Sequence, residues 1–179
     1  HRLFLSQGYN GASMRQIASE AGLALGGIYN HFANKEEIFV ALLLERHPLR
    51  ELMPALAEAQ GETVEELVRD TARQMLIGLG QRQDVLNLMF IELVEFEGRH
   101  ISQLYKMMYP QVMGFGQRLA AHQGKLRSIP APILARVFIG LLFSYYMTER
   151  FIGGQLPVKM RRAAFDHFVE IYLHGILAQ

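Results

Sequence analysis

The sequence predicts an all-α protein in which a small three-helix head precedes a larger helical body. Apolar residues recur at intervals of three and four along the chain, which is the period of an amphipathic helix, and no segment alternates as a half-buried strand does. Capping residues precede several of these apolar runs. Half of the 179 residues are hydrophobic, which is enough for a sizeable core. We place the boundary near His47, so that residues 1–47 are the head and residues 48–179 are the body.

The head contains a helix, a glycine turn and a second helix between Ser13 and Lys35. Ser13 with Gln16 forms a capping box that begins the first of these helices. Gly22 stands where the helix must end, because glycine enters the left-handed conformation at little cost. Two helices joined by such a turn form a helix-turn-helix, whose second helix fits the major groove of DNA. The expected head core consists of Leu3, Phe4, Ile17, Ala18, Ala21, Leu23, Ile28 and Phe32.

Capping boxes, glycines and prolines set the boundaries of the later helices. Asp84 is placed to cap one helix, Gly98 marks a bend after it, and Pro110 is expected to kink the long helix that follows. Pro157 is suited to begin the last helix. The capping boxes are Asn34 with Glu37 and Thr63 with Glu66, and the expected helices span residues 34–47, 63–79, 85–96, 99–122, 133–152 and 157–176.

Composition excludes several classes of site. The chain has no cysteine, so disulfides, thiolate metal sites and cysteine nucleophiles are excluded. The formal net charge is +1, so the overall charge favours neither nucleic acid nor a membrane as partner. The longest apolar run, from Val137 to Met147, falls short of the ~18 residues that a membrane span needs. With no signal peptide evident, we expect a cytoplasmic protein without a membrane partner.

The head also resembles a known family. Similar residues run unbroken over roughly forty positions, which makes chance a poor explanation. They are similar to the DNA-binding region of tetracycline-repressor-type (TetR) regulators, while the body agrees with that family only in length and helical pattern. The residues that carry the resemblance are Leu3-Phe4, Gly8-Tyr9, Ala12-Ser13, Ile17-Ala18, Glu20-Ala21-Gly22, Gly26-Gly27, Ile28-Tyr29, His31-Phe32 and Lys35-Glu36-Glu37-Ile38-Phe39.

The resemblance implies that the outward face of the second helix contacts bases and phosphates. Asn30 and His31 could read a base edge or hold a phosphate. Tyr29 and Lys35 would contact phosphates, and Leu25 could touch a thymine methyl group. The full set of DNA-binding candidates is Ser13, Arg15, Leu25, Gly26, Gly27, Tyr29, Asn30, His31 and Lys35.

The charge of the head is balanced, which is unusual for a domain whose affinity should come from neutralising phosphates. The head contains four basic and four acidic residues. Ala24 and Leu25 also stand where the family often has a capping hydroxyl and a cation. The sequence begins at His1 within a helical pattern, and we expect a basic arm to precede it. Gly26 and Gly27 would allow the DNA backbone to approach closely.

The last two helices are more apolar than one neighbouring helix can cover. A single head reads too few base pairs for useful specificity, so we expect a two-fold homodimer on a pseudo-palindromic stretch of double-stranded DNA. The resemblance implies pairing through these two helices as a four-helix bundle. The alternative is that their apolar residues belong to the core of one protomer. The interface candidates are Phe138, Leu142, Tyr145, Phe165, Phe168, Tyr172 and Ile176.

The middle helices are rich in methionine and aromatic residues, a mixture suited to a pocket for a small hydrophobic effector. An ordinary core is the alternative. Glu92 is the best polar anchor, because it lies within an apolar run, although it could face water with Glu95 and Arg99. The ligand-binding candidates are Met75, Met89, Glu92, Tyr105, Met108, Tyr109, Met113, Phe143, Tyr146 and Met147.

Two groups of residues raise the possibility of a metal site. Glu97 and His100 form one Glu-x-x-His pair, but di-iron bundles need two such pairs and two further glutamates. His167, Glu170 and His174 share a stripe of the last helix and could bind zinc across a dimer or be solvated. No phosphate loop or nucleophile motif is evident. We predict no metal, no cofactor and no enzyme activity.

The sequence therefore predicts a DNA-binding transcriptional regulator, and specifically a repressor that a small lipophilic ligand releases from its operator. The resemblance implies that ligand binding shifts the helix over residues 34–47 and changes the separation of the two recognition helices. One alternative is a DNA-binding regulator without an effector. The other is a helical-bundle enzyme with an incidental head.

Overall fold

The structure is a computed structural model that describes residues 1–45, 48–80, 85–122 and 126–178. Within these ranges the chain is helical, with one isolated β-bridge between Leu126 and Leu177. The predicted all-α class is confirmed. The helices are α1 (Arg2–Gly11), α2 (Met14–Glu20), α3 (Leu25–Tyr29), α4 (Lys35–Glu45), α5 (Pro48–Glu58), α6 (Val64–Gly80), α7 (Val85–Glu95), α8 (Ile101–Ala120), α9 (Ala131–Ile152) and α10 (Val158–Ile176), with a short 3-10 helix at Gly153–Gln155.

The chain folds into two compact units that differ from the predicted head and body. The first unit contains His1–Glu51 and Arg82–Met108, and the second contains Leu52–Gln81 and Tyr109–Gln179. Helix α7 was predicted to be part of the body, but it belongs to the same unit as the head. The predicted boundary, at a residue outside the described ranges, therefore falls within the first unit.

The core of the first unit explains why α7 joins the head. Leu88 and Phe96 are buried in one cluster with the head residues. The ring of Phe96 stacks on that of Phe39, with 4.9 Å between centroids. Burying these side chains together is favourable by roughly 1.5–3 kcal/mol for each large apolar residue. The buried members of the cluster are Phe4, Ala12, Ala18, Ile28, Ile38, Phe39, Leu43, Leu88 and Phe96.

The turn after α2 corrects part of the predicted core. Ala21 and Leu23 are exposed, and Leu23 retains 49% of its accessible surface. Leu25, which was predicted to face DNA, instead packs half-buried against the core cluster. The physical reason is the glycine turn at Gly22, which carries the chain away from the core before α3 returns to it.

Two of the three predicted capping boxes are complete, and at Asn34 the Glu37 carboxylate accepts instead from the Ala33 N–H at 2.7 Å, so local signals place the helix starts correctly. In each box a side-chain oxygen accepts a hydrogen bond from the backbone N–H three residues later, at 2.9–3.2 Å. Helix α8 runs through Pro110 as one element. The proposed cap Asp84 lies outside the described residues. The boxes are Ser13 with Gln16, Asn34 with Glu37 and Thr63 with Glu66.

Helices α9 and α10 pack against each other in the second unit. The hydroxyl of Tyr172 on α10 donates a hydrogen bond to the Leu134 carbonyl of α9 at 2.9 Å. Burial raises the pKa of Tyr172 far above its usual value, so the hydroxyl keeps its proton. The ring of Phe138 lies between those of Phe115 and Tyr172, at centroid distances of 4.8 and 5.5 Å. These contacts form the core of one protomer.

This packing places most of the predicted interface residues in the core of one protomer. Six of the seven candidates are buried within the protomer at 9% exposure or less, and only Phe168 is half-buried. Because both helices are apolar around most of their circumference, the sequence pattern does not distinguish the inner face from the outer one. The six buried residues are Phe138, Leu142, Tyr145, Phe165, Tyr172 and Ile176.

The residues Ala131–Gln155 have the length and composition of a membrane span, whereas the apolar run predicted from the sequence is shorter. A core helix of a globular protein meets the same criteria. Leu134, Phe138 and Leu142 on α9 are buried inside the second unit. This packing accounts for the apolar composition of their side of the helix.

Candidate nucleic-acid interface

Helices α2 and α3 are joined by a Schellman turn centred on Gly22. Gly22 has a φ of +68°, which is the left-handed region that glycine enters most readily. Its N–H donates to the Ser19 carbonyl at 3.1 Å, and the Leu23 N–H donates to the Ala18 carbonyl at 2.9 Å. These two bonds satisfy carbonyls at the end of α2 and fix the direction in which α3 leaves. The predicted helix-turn-helix is confirmed.

Helix α3 is short, and its inner face packs against the core of the first unit. Ile28 is 5% exposed and belongs to the core cluster. Tyr29, Asn30 and His31 are exposed on the outside, as the sequence predicts. Ala24 precedes the helix and offers no side-chain cap. The helix therefore presents an aromatic hydroxyl, an amide and an imidazole at one end, which together can donate to and accept from base edges and phosphates.

The two glycines of α3 face open space. A Cβ atom added at Gly26 or at Gly27 would meet no protein atom within 4 Å. The fold of the protomer therefore does not require glycine at these positions. A surface without side chains lets another molecule approach the backbone closely, and DNA is the molecule expected from the sequence.

Lys35 occupies a different place from the predicted phosphate contact. Its Nζ donates to the Tyr9 carbonyl at 2.5 Å and to the Ala12 carbonyl at 2.7 Å. The same Nζ lies 4.2 Å from the centroid of the Tyr9 ring, in cation–π geometry. Lys35 thus satisfies carbonyls at the end of α1 and holds α1 against α4. We correct its predicted role from DNA contact to support of the head.

The remaining DNA-binding candidates at the start of α2, Ser13 and Arg15, differ in whether the side chain is engaged in a contact within the protein. The Ser13 hydroxyl accepts from the Gln16 N–H at 3.2 Å and donates to its side-chain oxygen at 2.8 Å, so it is engaged in capping. Arg15 is exposed. Arg2 forms an exposed ion pair with Glu20 at 3.1 Å, which contributes little to stability.

A glutamate of α7 also stabilises α1, through hydrogen bonds to its backbone. Helix α1 is interrupted at Gly8, whose φ of +72° and ψ of 175° are not helical. The Tyr9 and Asn10 N–H groups after this break donate to the Glu95 carboxylate at 3.0 and 3.2 Å. Glu95 therefore supplies the cap that the interrupted helix lacks. Sequence reasoning missed this role, because no local pattern connects residues so distant in sequence.

The predicted polar anchor of a ligand pocket, Glu92, is committed to His100. Glu92 is fully buried, and its two oxygens accept from the His100 backbone N–H at 2.6 Å and contact Nδ1 at 2.9 Å. The other ring nitrogen, Nε2, lies 3.1 Å from Oε1 of Glu36 on α4. Arg99 contacts the same Glu36 oxygen at 3.2 Å. The corner between α7 and α8 is thereby tied to α4, and Glu92 is not available as the predicted anchor.

The other ligand-binding candidates are divided between the two units. Tyr105, Tyr109 and Phe143 are exposed, whereas Met75 and Tyr146 are buried. The candidates of the first unit are Met89, Glu92, Tyr105 and Met108, and those of the second are Met75, Tyr109, Met113, Phe143, Tyr146 and Met147.

The possible zinc stripe of α10 has protein partners. The Arg69 guanidinium donates to the Glu170 carboxylate, and this hydrogen bond lowers the pKa of Glu170. The Nδ1 atom of His174 lies 2.9 Å from the Glu170 carbonyl. Within the part of the chain that the structure describes, no group of three or more metal-ligating side chains is brought together.

Comparison with known proteins agrees with this geometry. The family of bacterial regulatory proteins named tetR matches residues 1–42. The uncharacterized helix-turn-helix regulator YvkB of Bacillus subtilis is 21% identical over 99% of this chain and 93% of its own length. The helix-turn-helix transcriptional repressor AcnR of Corynebacterium efficiens is 41% identical over 44 residues, which are 25% of this chain and 23% of the repressor.

A solved structure extends the likeness of fold to the body. Native NalD, the secondary repressor of the MexAB-OprM multidrug efflux pump in Pseudomonas aeruginosa, matches with a TM-score of 0.69 at 20% identity. The match covers 99% of this chain and 92% of that one. The N-terminal sequence match, the helix-turn-helix and the shared fold all point to one assignment. Residues 1–42 form a DNA-binding domain of the tetR type, and the chain is a DNA-binding transcriptional regulator.

Proposed function

We propose that the protein is a homodimeric repressor that binds a pseudo-palindromic operator through α3 and acts in the cytoplasm, where the DNA is. The observation that carries the DNA-binding part is the exposed end of α3, with Tyr29, Asn30 and His31 beside two glycines that no protein atom crowds. The relative AcnR is named a repressor, which supports repression as the direction of control.

The homodimer is supported by an apolar groove on the outer face of α9 and α10. The groove has a volume of about 640 Å³. Ile133, Val137 and Ile171 line it and are 44%, 50% and 72% exposed in the single chain. An exposed apolar surface of this kind is typical of a protein interface. We propose that a second copy covers this groove, so that the interface consists of these residues together with three of the predicted candidates that also line it, Phe168, Tyr172 and Ile176.

Alanine substitution of Asn30 or His31 is expected to weaken operator binding and to relax sequence preference. Each side chain is exposed at the end of α3, so its removal does not disturb the core. Loss of a base contact typically costs about 1–3 kcal/mol. The measurement is the affinity of Asn30→Ala and His31→Ala for a duplex selected from a random library by the wild-type protein, and for the same duplex with single base changes.

Arg15 and Lys35 provide matched controls for that titration. Arg15→Ala should weaken binding to all duplexes alike and reduce the dependence of log K on log salt by about one. Lys35→Met should destabilise the head without changing that slope, because its Nζ is engaged by two carbonyls. Unchanged affinity and unchanged sequence preference in both Asn30→Ala and His31→Ala would refute the assignment of α3 as the reading element.

Release of the operator by a small lipophilic effector is the second part of the proposal. The methionine and aromatic content of the middle helices supports it, with Met75 and Tyr146 buried in the second unit. We expect native mass spectrometry with a panel of lipophiles, which includes a long-chain fatty acid as a probe, to show one of them bound to the protein, and the same compound to lower its affinity for the selected duplex. Binding of no lipophile, with unchanged operator affinity, would favour the alternative of a regulator without an effector.

A further inference from the structure

His100 connects the corner between α7 and α8 to the head through two carboxylates. We propose that His100 is a positioning residue for DNA binding, which holds α4 in place through the group of Glu92, His100 and Glu36. This group makes all of its contacts only while it carries one extra proton, compared with a neutral imidazole and two ionised carboxylates. We call this group the histidine clasp. Its role rests on the proposed DNA-binding function and adds a dependence on pH to it.

The need for the extra proton follows from the donors and acceptors in the histidine clasp. Nδ1 lies 2.9 Å from Oε2 of Glu92, and Nε2 lies 3.1 Å from Oε1 of Glu36. An ionised carboxylate only accepts hydrogen bonds, and a neutral imidazole has one N–H. Only one of the two contacts can then be a hydrogen bond, while in the other a ring lone pair faces an anionic oxygen. One added proton makes both contacts hydrogen bonds.

Burial decides which contact is lost when that proton leaves. The side chain of His100 is 5% exposed and that of Glu92 is fully buried, whereas that of Glu36 is 38% exposed. Glu92 also accepts from the His100 backbone N–H at 2.6 Å, which fixes it in place. Water can solvate Glu36 but not Glu92, so the remaining ring proton stays on Nδ1. Deprotonation therefore releases Glu36 from the ring and weakens the tie to α4, in which the exposed Arg99 contact with Glu36 remains.

The charged and titratable groups around the histidine clasp come from four parts of the first unit. Arg99 contacts Glu36 at 3.2 Å. Burial, together with the Glu36 and Glu95 carboxylates, raises the pKa of Tyr9, so Tyr9 stays neutral near neutral pH. The groups are Tyr9 of α1, Lys35 and Glu36 of α4, Glu92 and Glu95 of α7, and Glu97 and Arg99 of the corner.

The substitution Glu36→Gln is expected to preserve the contact between His100 and residue 36 of α4 without the extra proton. A glutamine at this position can donate an amide N–H to Nε2 of a neutral ring, while Nδ1 still donates to Glu92, so both contacts persist without the extra proton. We expect wild-type affinity for the selected duplex to fall about tenfold between about pH 6 and about pH 8.5, the effect of losing one charge-assisted hydrogen bond. The affinity of Glu36→Gln should change less than about twofold over the same range.

Two control variants exclude other sources of the same dependence. Glu45→Gln makes the same change of charge on an exposed part of α4 and should keep the wild-type pH profile. His31→Gln removes the exposed imidazole of the proposed DNA-reading surface and should also keep a pH dependence. A profile that disappears in His31→Gln and persists in Glu36→Gln would overturn the proposal.

A measurement without DNA distinguishes failure of the histidine clasp from failure of the proposed function. The Cε1–H resonance of His100, identified by its absence in His100→Gln, should titrate in the free protein at the same pH at which wild-type affinity falls. A resonance that titrates elsewhere would refute the histidine clasp as the origin of the profile. A wild-type protein that selects no duplex at all would instead refute DNA binding.

Discussion

Replacing Ile171 by aspartate is expected to convert the protein from a dimer into a monomer of 20.4 kDa. Ile171 is the most exposed of the large apolar residues in the groove of α9 and α10, at 72%. In a two-fold dimer each substitution occurs on both copies, so two carboxylates would have to leave water in the same interface. Burying an unpaired ionised group costs far more than the roughly 1.5–3 kcal/mol that burial of one isoleucine contributes.

Loss of the dimer should also remove tight operator binding. A monomer contacts one half-site, whereas a dimer places two recognition helices on successive turns of the same DNA face. The second contact is then intramolecular, and linkage of this kind strengthens binding by about 10²–10⁴-fold. We therefore expect Ile171→Asp to bind the selected duplex at least about a hundredfold more weakly than the wild type.

Light scattering after size-exclusion chromatography measures the mass, and titration of the duplex measures the affinity. Ile77→Asp is the matched control, because Ile77 is 64% exposed on α6 and lies outside the groove. This variant should remain dimeric and bind DNA normally. If Ile171→Asp kept the dimer mass of the wild type, the groove would not be the interface.

The residues of α9 and α10 show which structural features local sequence patterns do not predict. Local signals suffice for helix starts and turns, because a capping box or a Schellman turn involves residues within six positions of each other. The inner face of α9 is not a local property. With apolar residues on most of its circumference, periodicity does not distinguish Phe138, which is buried, from Val137, which is half exposed.

Hydrogen bonds between polar residues that are distant in sequence are the second feature that sequence patterns do not predict. Glu95 accepts from the Tyr9 N–H across a separation of 86 residues, and nothing around either residue indicates that pairing. Lys35 likewise has the residue type and position of a phosphate contact, yet its Nζ is committed to the carbonyl of Tyr9. A lysine at a helix start supports either role until the neighbouring helix is placed. The exposed end of α3 was predictable, whereas the residues that hold it in place were not.

Replacing Phe96 by alanine is expected to destabilise the head, although the sequence assigns Phe96 to the body. Phe96 is 4% exposed, and its ring lies 4.5 Å from that of Tyr9 and 4.9 Å from those of Phe39 and His100. Removing a buried phenylalanine leaves a cavity and costs about 3–5 kcal/mol. The cavity would open at the point where α1, α4 and the corner between α7 and α8 meet.

The measurement is amide hydrogen exchange in α1 and α4, combined with urea unfolding. In Phe96→Ala the amides of both helices should exchange faster, and operator affinity should fall as the folded population of the first unit falls. Phe90→Ala is the control on α7, the helix that Phe96 directly follows, because Phe90 is 40% exposed and its truncation leaves the core intact. Unchanged exchange in α1 and α4 would show that the head folds independently of α7. Faster exchange there would mean that DNA binding depends on a segment outside the helix-turn-helix.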